Sequence, residues 1–218
     1  MVHFEGIIID FFDLVGSLVC HQIPERTLWI GGRYLPVCSR DAGAYLGLYI
    51  GYFLLPLRRK EACGPPNLWA TLLMVIPMIV DATTQVLGLR TSTNELRLMT
   101  GLLFGVALAP MLCYLVSLAP TSKKLPVIRN LFPKSVRLDD KEYWLSSKSL
   151  GIGLLGAVAL FFVVNPIVGS NSQIFYWLMS PPIVFSAILH IFLLPIFLVF
   201  SFLINLKLMF NTHISDTS

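Results

Sequence analysis

Charged residues are scarce in this sequence. Aspartate, glutamate, lysine and arginine make up 13% of its 218 residues, against roughly 25% in soluble domains. Hydrophobic residues account for 56%, and the mean hydropathy is +0.75. A soluble globule of this size cannot bury so much apolar surface, so we expect a membrane protein. The net charge of +4 then reflects membrane topology, and we predict no nucleic acid partner.

The N-terminal stretch lacks the features of a cleavable signal. Its apolar run contains Asp10 and Asp13, and no lysine or arginine precedes Arg26. We therefore expect this stretch to stay in the mature protein. The sequence also lacks low-complexity tracts and internal repeats, which predicts a single integral membrane domain over residues 1–206 and a short polar tail over 207–218.

Long apolar runs, in contrast, are abundant. A transmembrane helix needs about 20 apolar residues to cross about 30 Å of hydrocarbon. Five stretches approach or reach that length, and the sequence therefore predicts an all-α fold, a polytopic helical membrane bundle. The predicted spans are 42–57, 68–87, 98–118, 149–167 and 182–206, the last with Pro181 and Pro182 at its start.

The segment at residues 5–20 differs from the others because it is short and acidic. Its polar residues are spaced at i, i+3, i+7 and i+10, on one face of a helix: Asp10, Asp13, Ser17 and Cys20. Such a face cannot contact lipid. The segment is therefore either a sixth span inside the bundle or an amphipathic helix at the membrane interface.

Basic residues orient the predicted bundle. Eleven of the sixteen lie in the linker 58–60, in the stretch 119–148 and at Lys207, which share one side if the spans alternate. The positive-inside rule makes that side cytoplasmic. We predict a basic cytoplasmic loop at 119–148, between a motif-bearing half at 1–118 and C-terminal helices at 149–206. The extracytoplasmic side holds the other five: Arg26, Arg33, Arg40, Arg90 and Arg97.

Two polar stretches share this extracytoplasmic side. The first is CHQIPERTLWIGGRYLPVCSRD, residues 20–41, and the second is DATTQVLGLRTSTNELRLMTG, residues 81–101. In the second, one polar pair ends a span and another begins the next: Asp81 with Gln85, and Asn94 with Arg97. Both pairs should lie at the depth of the first stretch. The sequence thus predicts one shared polar site.

These motifs resemble a family of predicted bacterial and archaeal membrane proteins described only as a domain of unknown function. The resemblance rests on CHQ, PER, PVCSRDAGAYLG and DATTQVLGLRTSTNELRLMTGLLFG, and covers roughly residues 18–106. The second motif is also weakly similar to VanZ-like membrane proteins, linked to glycopeptide resistance, in which a comparable turn joins an acid and a glutamine to a glycine and an arginine. Neither resemblance implies an established reaction.

The first resemblance also implies a metal site. Members of that family often carry C-x-R-C where this chain has CSRD, and together with the Cys-His pair this resembles a soft-metal site. Asp41 takes the place of the last cysteine here. The remaining set suits zinc: Cys20, His21, Cys38 and Asp41. A disulfide between Cys20 and Cys38 in an oxidising compartment, or two free thiols, are the alternatives.

Small residues and one histidine predict contacts inside the bundle. His190, one turn after Ser186, is expected to form an interhelical hydrogen bond, with proton movement as the alternative. Small residues at every fourth position let helix backbones approach closely in lipid. Two such ridges are present: Gly43, Gly47 and Gly51, and Gly101, Gly105 and Ala109.

The extracytoplasmic polar site carries the functional hypothesis. It is a membrane-embedded enzyme or binding protein for a lipid-linked phosphorylated substrate, with membrane lipids as partners and no protein partner indicated. The substrate-binding residues would be Arg40, Gln85, Arg90, Asn94 and Arg97, and the catalytic residues His21, Asp41 and Asp81. A small transporter and a non-catalytic membrane assembly factor are the alternatives.

Overall fold

The computed structural model describes residues 2–54, 68–118, 147–200 and 202–203. These residues are mostly helical. The helices are α1 (Val2–Val19), α2 (Ser39–Leu54), α3 (Leu68–Val86), α4 (Asn94–Leu118), α5 (Ser147–Val164) and α6 (Gln173–Ala187). A π-helical turn, Ile188–Leu193, continues α6 into further helix up to residue 200. The predicted linker 58–60, most of the basic loop and the tail lie outside the described residues.

Three of the described helices are long and apolar enough to cross a membrane. They are Leu68–Val86, Asn94–Leu112 and Gln173–Phe200, and a shorter apolar helix runs over Gly151–Ile167. This agrees with a multi-pass membrane protein. Five spans are not confirmed, because α2 has only 16 described residues and the apolar helix at 151–167 is short.

The last predicted span begins earlier than expected. α6 starts at Gln173, so Pro181 and Pro182 lie inside the helix and not at its start. Tertiary packing explains this difference, since Tyr176 and Met179 in the first turns are buried. Proline is tolerated in membrane helices when neighbours satisfy the freed backbone groups. The Tyr49 hydroxyl donates to the Pro182 carbonyl at 2.8 Å, a contact that joins α2 to this part of α6.

Helix α1 is not among the three span-length apolar helices. One face is buried through Phe12 and Val15, and Phe12 meets the Trp177 ring edge-on at 6.0 Å. Asp10 and Asp13 are exposed, so the predicted polar face points away from the described bundle. A third face exposes apolar residues at helical spacing: Phe4, Ile7, Phe11, Leu14 and Leu18. A helix that exposes a polar face beside an apolar face fits the second alternative, an amphipathic helix at the membrane interface.

The all-α prediction is wrong at one place, where the chain forms a β-hairpin. Strands β1 (Thr27–Ile30) and β2 (Arg33–Cys38) pair antiparallel, with Ile30 opposite Arg33. The turn residues Gly31 and Gly32 have φ of +66° and +80°. Two-residue hairpin turns need such positive φ values, which glycine adopts without strain. The sequence signal was therefore present as two glycines between TLWI and RYLPVC, and the apolar composition of the chain obscured it.

The loop after α5 extends the hairpin. The Gly169 amide donates to the Trp29 carbonyl at 2.8 Å, and the Gly31 amide donates to the Ser170 carbonyl at 2.6 Å. The Arg33 guanidinium lies over the Tyr176 ring, 5.2 Å from its centroid. The hairpin thus ties the start of α2 to the start of α6.

Helices α2 and α4 run parallel in close contact. A Cβ on Gly47 would lie 2.3 Å from the Leu102 carbonyl oxygen, and one on Gly105 would lie 2.1 Å from the Ala44 carbonyl oxygen. Only glycine fits at such separations, which confirms the predicted small-residue ridges. Because the two helices are parallel, their first turns lie side by side. This arrangement positions the polar site.

The predicted interhelical hydrogen bond of His190 is confirmed. Its Nδ1 donates to the Ser186 carbonyl at 2.7 Å, and its Nε2 accepts from the Tyr52 hydroxyl at 2.5 Å. The Tyr52 and His190 rings stack, with centroids 5.5 Å apart. The contact joins α2 to the π-helical turn, a helix irregularity that frequently occurs at functional sites.

Candidate functional site

Asp81, at the end of α3, is the centre of a charged network. Its side chain is 1% exposed. Oδ2 accepts from Arg40 Nη2 at 2.5 Å, and Oδ1 accepts from Arg90 Nη2 at 2.5 Å and from the Ser92 hydroxyl at 2.6 Å. Both carboxylate oxygens are therefore engaged. A buried carboxylate is tolerated when it is paired and hydrogen-bonded in this way.

The second partners of the two arginines reinforce this network. Arg40 Nη2 also donates to Gln85 Oε1 at 3.2 Å, and Arg90 Nε donates to Thr84 Oγ1 at 2.9 Å. Four of the predicted site residues are thereby brought together: Asp81, Gln85, Arg40 and Arg90. They join the start of α2 to the end of α3 and to the turn that follows it.

Arg97, in the first turns of α4, has a different environment. It is 6% exposed and donates from Nη1 to Asn94 Oδ1 at 2.7 Å. Within the described part of the chain, no carboxylate lies in ion-pair distance of it, and its Nε has no hydrogen-bond partner. Burying a guanidinium group that is hydrogen-bonded to a neutral amide, and not to a carboxylate, costs free energy. Arg40 Nε is likewise buried without a partner.

Two thiols and a carboxylate form a second cluster. Cys20 follows α1, Cys38 ends β2, and Asp41 lies in the first turn of α2. The Cys38 backbone N–H donates to Cys20 Sγ at 3.2 Å, and the Cys38 thiol donates to Asp41 Oδ2 at 3.1 Å. Both cysteines are free thiols, and the donor atoms of the three residues lie within 4.8 Å of one another.

Because the two thiols are in contact, their pKa values shift in opposite directions. Side-chain contact with Cys38 lowers the pKa of Cys20 from 9.0 to about 7, although partial burial opposes the change. Backbone N–H groups of Gln22 and Cys38 also favour the Cys20 thiolate. The same contact with Cys20, together with burial and the Asp41 charge, raises the pKa of Cys38. We therefore expect Cys20 to be the more nucleophilic thiol of the pair.

We expect alkylation of Cys20 in metal-free protein to have its midpoint near pH 7, falling at lower pH as the thiolate is protonated. Replacing Cys38 with alanine removes this side-chain contact and should move the midpoint toward 9.0, the ordinary value. Iodoacetamide labelling rates measured against pH in a Cys63→Ser, Cys113→Ser background would show this. An unchanged midpoint in the Cys38→Ala variant would contradict the assigned cause.

A pocket of about 180 Å³ connects the thiol cluster to the arginines. Its lining residues are Val19, Cys20, His21, Ile23, Arg26, Cys38, Arg40, Asp41 and Arg97. Six of the predicted site residues line it. Four do not and lie in the Asp81 network or beside Arg97: Asp81, Gln85, Arg90 and Asn94.

Some assignments change in detail. His21 is exposed and does not belong to the cluster of possible metal ligands, so three of the four predicted ligands come together. Arg26 lines the pocket although sequence reasoning counted it only as an extracytoplasmic charge. Ser92 was missed. The polar run TSTN before α4 indicated such a residue, because a hydroxyl there can contact the end of the preceding helix.

Residues 20–111 match the family described as Predicted membrane protein (DUF2085). An uncharacterized protein of Methanothermobacter thermautotrophicus is 44% identical over 94 residues, which are 42% of this chain and 81% of that protein. The chain belongs to this family. An uncharacterized protein of Methanocaldococcus jannaschii is 45% identical over 92 residues, or 42% of this chain and 59% of that protein.

The DUF2085 match contains nearly all of the site. It begins at Cys20 and ends in α4, so it includes the Asp81 network and every pocket residue except Val19. The predicted resemblance to an uncharacterised membrane protein family is thus confirmed. No solved structure matches the chain.

Proposed function

We propose that this protein binds the phosphate group of a membrane lipid or lipid-linked substrate in the pocket between the hairpin and the first turns of α2 and α4. The observation that carries the proposal is Arg97. It lines the pocket, it is 6% exposed, and its recorded side-chain partner is a neutral amide. A ligand phosphate would supply the missing negative charge.

Local charge supports the same conclusion. The pocket and the Asp81 network together hold four guanidinium groups and two carboxylates, an excess of two positive charges. Asp81 accepts from Arg40 Nη2, and among the residues that the structure describes the buried Arg40 Nε atom has no hydrogen-bond partner. Phosphate oxygens accept such donors well, because guanidinium is planar and presents several N–H groups in a fixed geometry.

The surroundings favour a lipid over a soluble anion. The last residue of α3, Val86, is 85% exposed, and the turn after α3 exposes Leu87 and Leu89. Apolar side chains so placed belong in hydrocarbon, and the turn leads directly to Arg90. Two apolar side chains, Val19 and Ile23, also line the pocket. The phosphate would therefore bind at the boundary between hydrocarbon and headgroups.

We place the pocket on the extracytoplasmic side. Eleven of the sixteen basic residues belong to segments predicted for the opposite side, and the positive-inside rule makes that side cytoplasmic. The arginines of the pocket would then lie on the side where basic residues are fewer, as expected of residues that bind a ligand.

Acid-base chemistry would require further groups next to the ligand. His21 and Asp41 line the pocket beside the arginines, so a phosphate bound there would lie near both. In this proposal Asp81 is a positioning residue, because both of its oxygens are already bonded. Catalytic roles for His21 and Asp41 stay predictions.

The test compares lipid binding by purified protein and its arginine variants. We expect preference for phosphatidic acid over phosphatidylcholine with the same acyl chains, measured by native mass spectrometry. Arg26→Gln and Arg97→Gln should each weaken binding about tenfold or more, because a hydrogen bond to a charged group contributes about 1.5–3 kcal/mol. Arg26 is exposed, so its variant should fold normally.

Arg33→Gln is the matched control. It removes the same charge from the same end of the molecule, but Arg33 lies over Tyr176 and does not line the pocket. Equal lipid binding by the folded Arg26→Gln, Arg97→Gln and Arg33→Gln proteins would overturn the proposal. Competition by inorganic phosphate as effective as that by phosphatidic acid would instead identify a soluble anion as the ligand and overturn the lipid assignment.

A further inference from the structure

We propose that Cys20, Cys38 and Asp41 bind one zinc ion and leave its fourth coordination position open to the pocket. This site is separate from phosphate binding by the arginines, and either can exist without the other. Its basis is the convergence of three ligand atoms from three elements of the fold.

Donor geometry is the first argument. The two sulfur atoms and a carboxylate oxygen lie within 4.8 Å of one another. In a tetrahedral zinc site with Zn–S bonds of about 2.3 Å, two sulfur ligands lie about 3.8 Å apart. The three ligand atoms therefore already lie close to the spacing that such a site requires. A cluster of this composition favours zinc over magnesium or calcium, which prefer oxygen ligands.

The backbone around Cys20 is fixed in position. The Gln22 side chain donates from Nε2 to the carbonyls of Asp13 at 2.8 Å and Pro36 at 2.9 Å, joining α1 to β2. Gln22 itself has a φ of +50°, the only positive value outside glycine in the described chain. Such strain persists where surrounding contacts determine the conformation.

Hydrogen bonds around the sulfur atoms suit thiolate ligands. The Cys38 backbone N–H donates to Cys20 Sγ at 3.2 Å, so a thiolate at Cys20 would have a backbone donor. The Cys38 thiol proton lies between its sulfur and Asp41 Oδ2, which are 3.1 Å apart. That proton bridges two of the proposed ligands, and a metal ion would displace it.

Charge balance also fits. Two thiolates and one carboxylate carry three negative charges, so a zinc site built from them has a net charge of −1. The arginines that line the same pocket compensate this charge: Arg26, Arg40 and Arg97. His21 lines the pocket but does not belong to the cluster. Three protein ligands with an open fourth position are typical of catalytic zinc sites.

The experiment measures metal and thiols in the full chain carrying Cys63→Ser and Cys113→Ser, purified in detergent without reductant or chelator. We expect one zinc per chain by elemental mass spectrometry and two thiols that react fully only after chelation. Cys20→Ser and Cys38→Ser should lose the zinc. Asp41→Asn should weaken zinc binding at least about tenfold, the lower end of the cost of losing even an outer-shell partner.

Three controls separate the possible explanations. Asp10→Asn, an exposed carboxylate on α1, and His21→Ala should both retain the zinc, and loss of zinc in His21→Ala would refute the three-ligand site. Arg97→Gln should also retain it, which distinguishes this test from the lipid-binding test. If the serine variants do not fold, cobalt substitution of the parent protein must give a thiolate-to-cobalt absorption band.

Two results would overturn the proposal. One is a Cys20–Cys38 disulfide in the purified protein that, once reduced, takes up neither zinc nor cobalt. The other is zinc bound with unchanged stoichiometry by a folded Cys38→Ser variant, which would show adventitious metal elsewhere on the chain.

Discussion

Replacing Gly105 with leucine is expected to destabilise the protein by at least about 3 kcal/mol, the upper end of typical overpacking costs. A Cβ at this position would lie 2.1 Å from the Ala44 carbonyl oxygen and 2.8 Å from the Leu48 amide nitrogen. Both neighbours are backbone atoms, so no side-chain rotation relieves the clash. α4 would have to move away from α2, which would also pull the first turns of the two helices apart.

Gly151→Leu is the matched control for this prediction. Within the described part of the chain a Cβ on Gly151 would meet nothing within 4 Å, so leucine there should change the free energy of unfolding by no more than about 0.5 kcal/mol. Unfolding in a denaturing detergent, followed by circular dichroism, measures both variants. Similar stabilities for Gly105→Leu and Gly151→Leu would show that α2 and α4 are not packed closely in the membrane.

Replacing Asp81 with asparagine is expected to cost about 3–5 kcal/mol, the range for breaking a buried ion pair from one side. The change leaves the Arg40 and Arg90 guanidinium groups to share a neutral amide. Arg90 is 38% exposed, so water screens part of its charge, whereas Arg40 is 18% exposed. Arg40 therefore accounts for most of the effect, and its displacement should also weaken anion binding.

A double-mutant cycle tests the origin of that cost. Arg40→Gln combined with Asp81→Asn removes both charges, so the double variant should be more stable than the sum of the single changes predicts. Asp10→Asn, which alters an exposed carboxylate, should be nearly neutral. Additive effects of Arg40→Gln and Asp81→Asn would show that the two side chains do not interact in the membrane-embedded protein.

Composition and local spacing determined much of this protein without any structure. Apolar length and low charge predicted a helical membrane protein, because the bilayer requires long apolar helices whatever their neighbours are. Glycine spacing predicted the ridges of α2 and α4 for a similar reason, since residues four apart always share a helix face. The motifs in residues 20–41 and 81–101 predicted a shared site, because both follow or precede apolar runs on one side.

Other features depend on how the helices are rotated and arranged, and only the tertiary structure decided them. The parallel contact of α2 and α4 places Arg40 beside Asp81, whereas among the described residues Arg97 donates to Asn94 and has no carboxylate partner. Sequence spacing cannot predict which of these side chains pair with each other, because Arg40, Asp81 and Arg97 all lie near helix ends. The hairpin brings Cys38 to Cys20 while His21 turns outward. Long-range packing thus determines which side chains contact each other, whereas the lengths of the apolar segments determine that the chain inserts into a membrane.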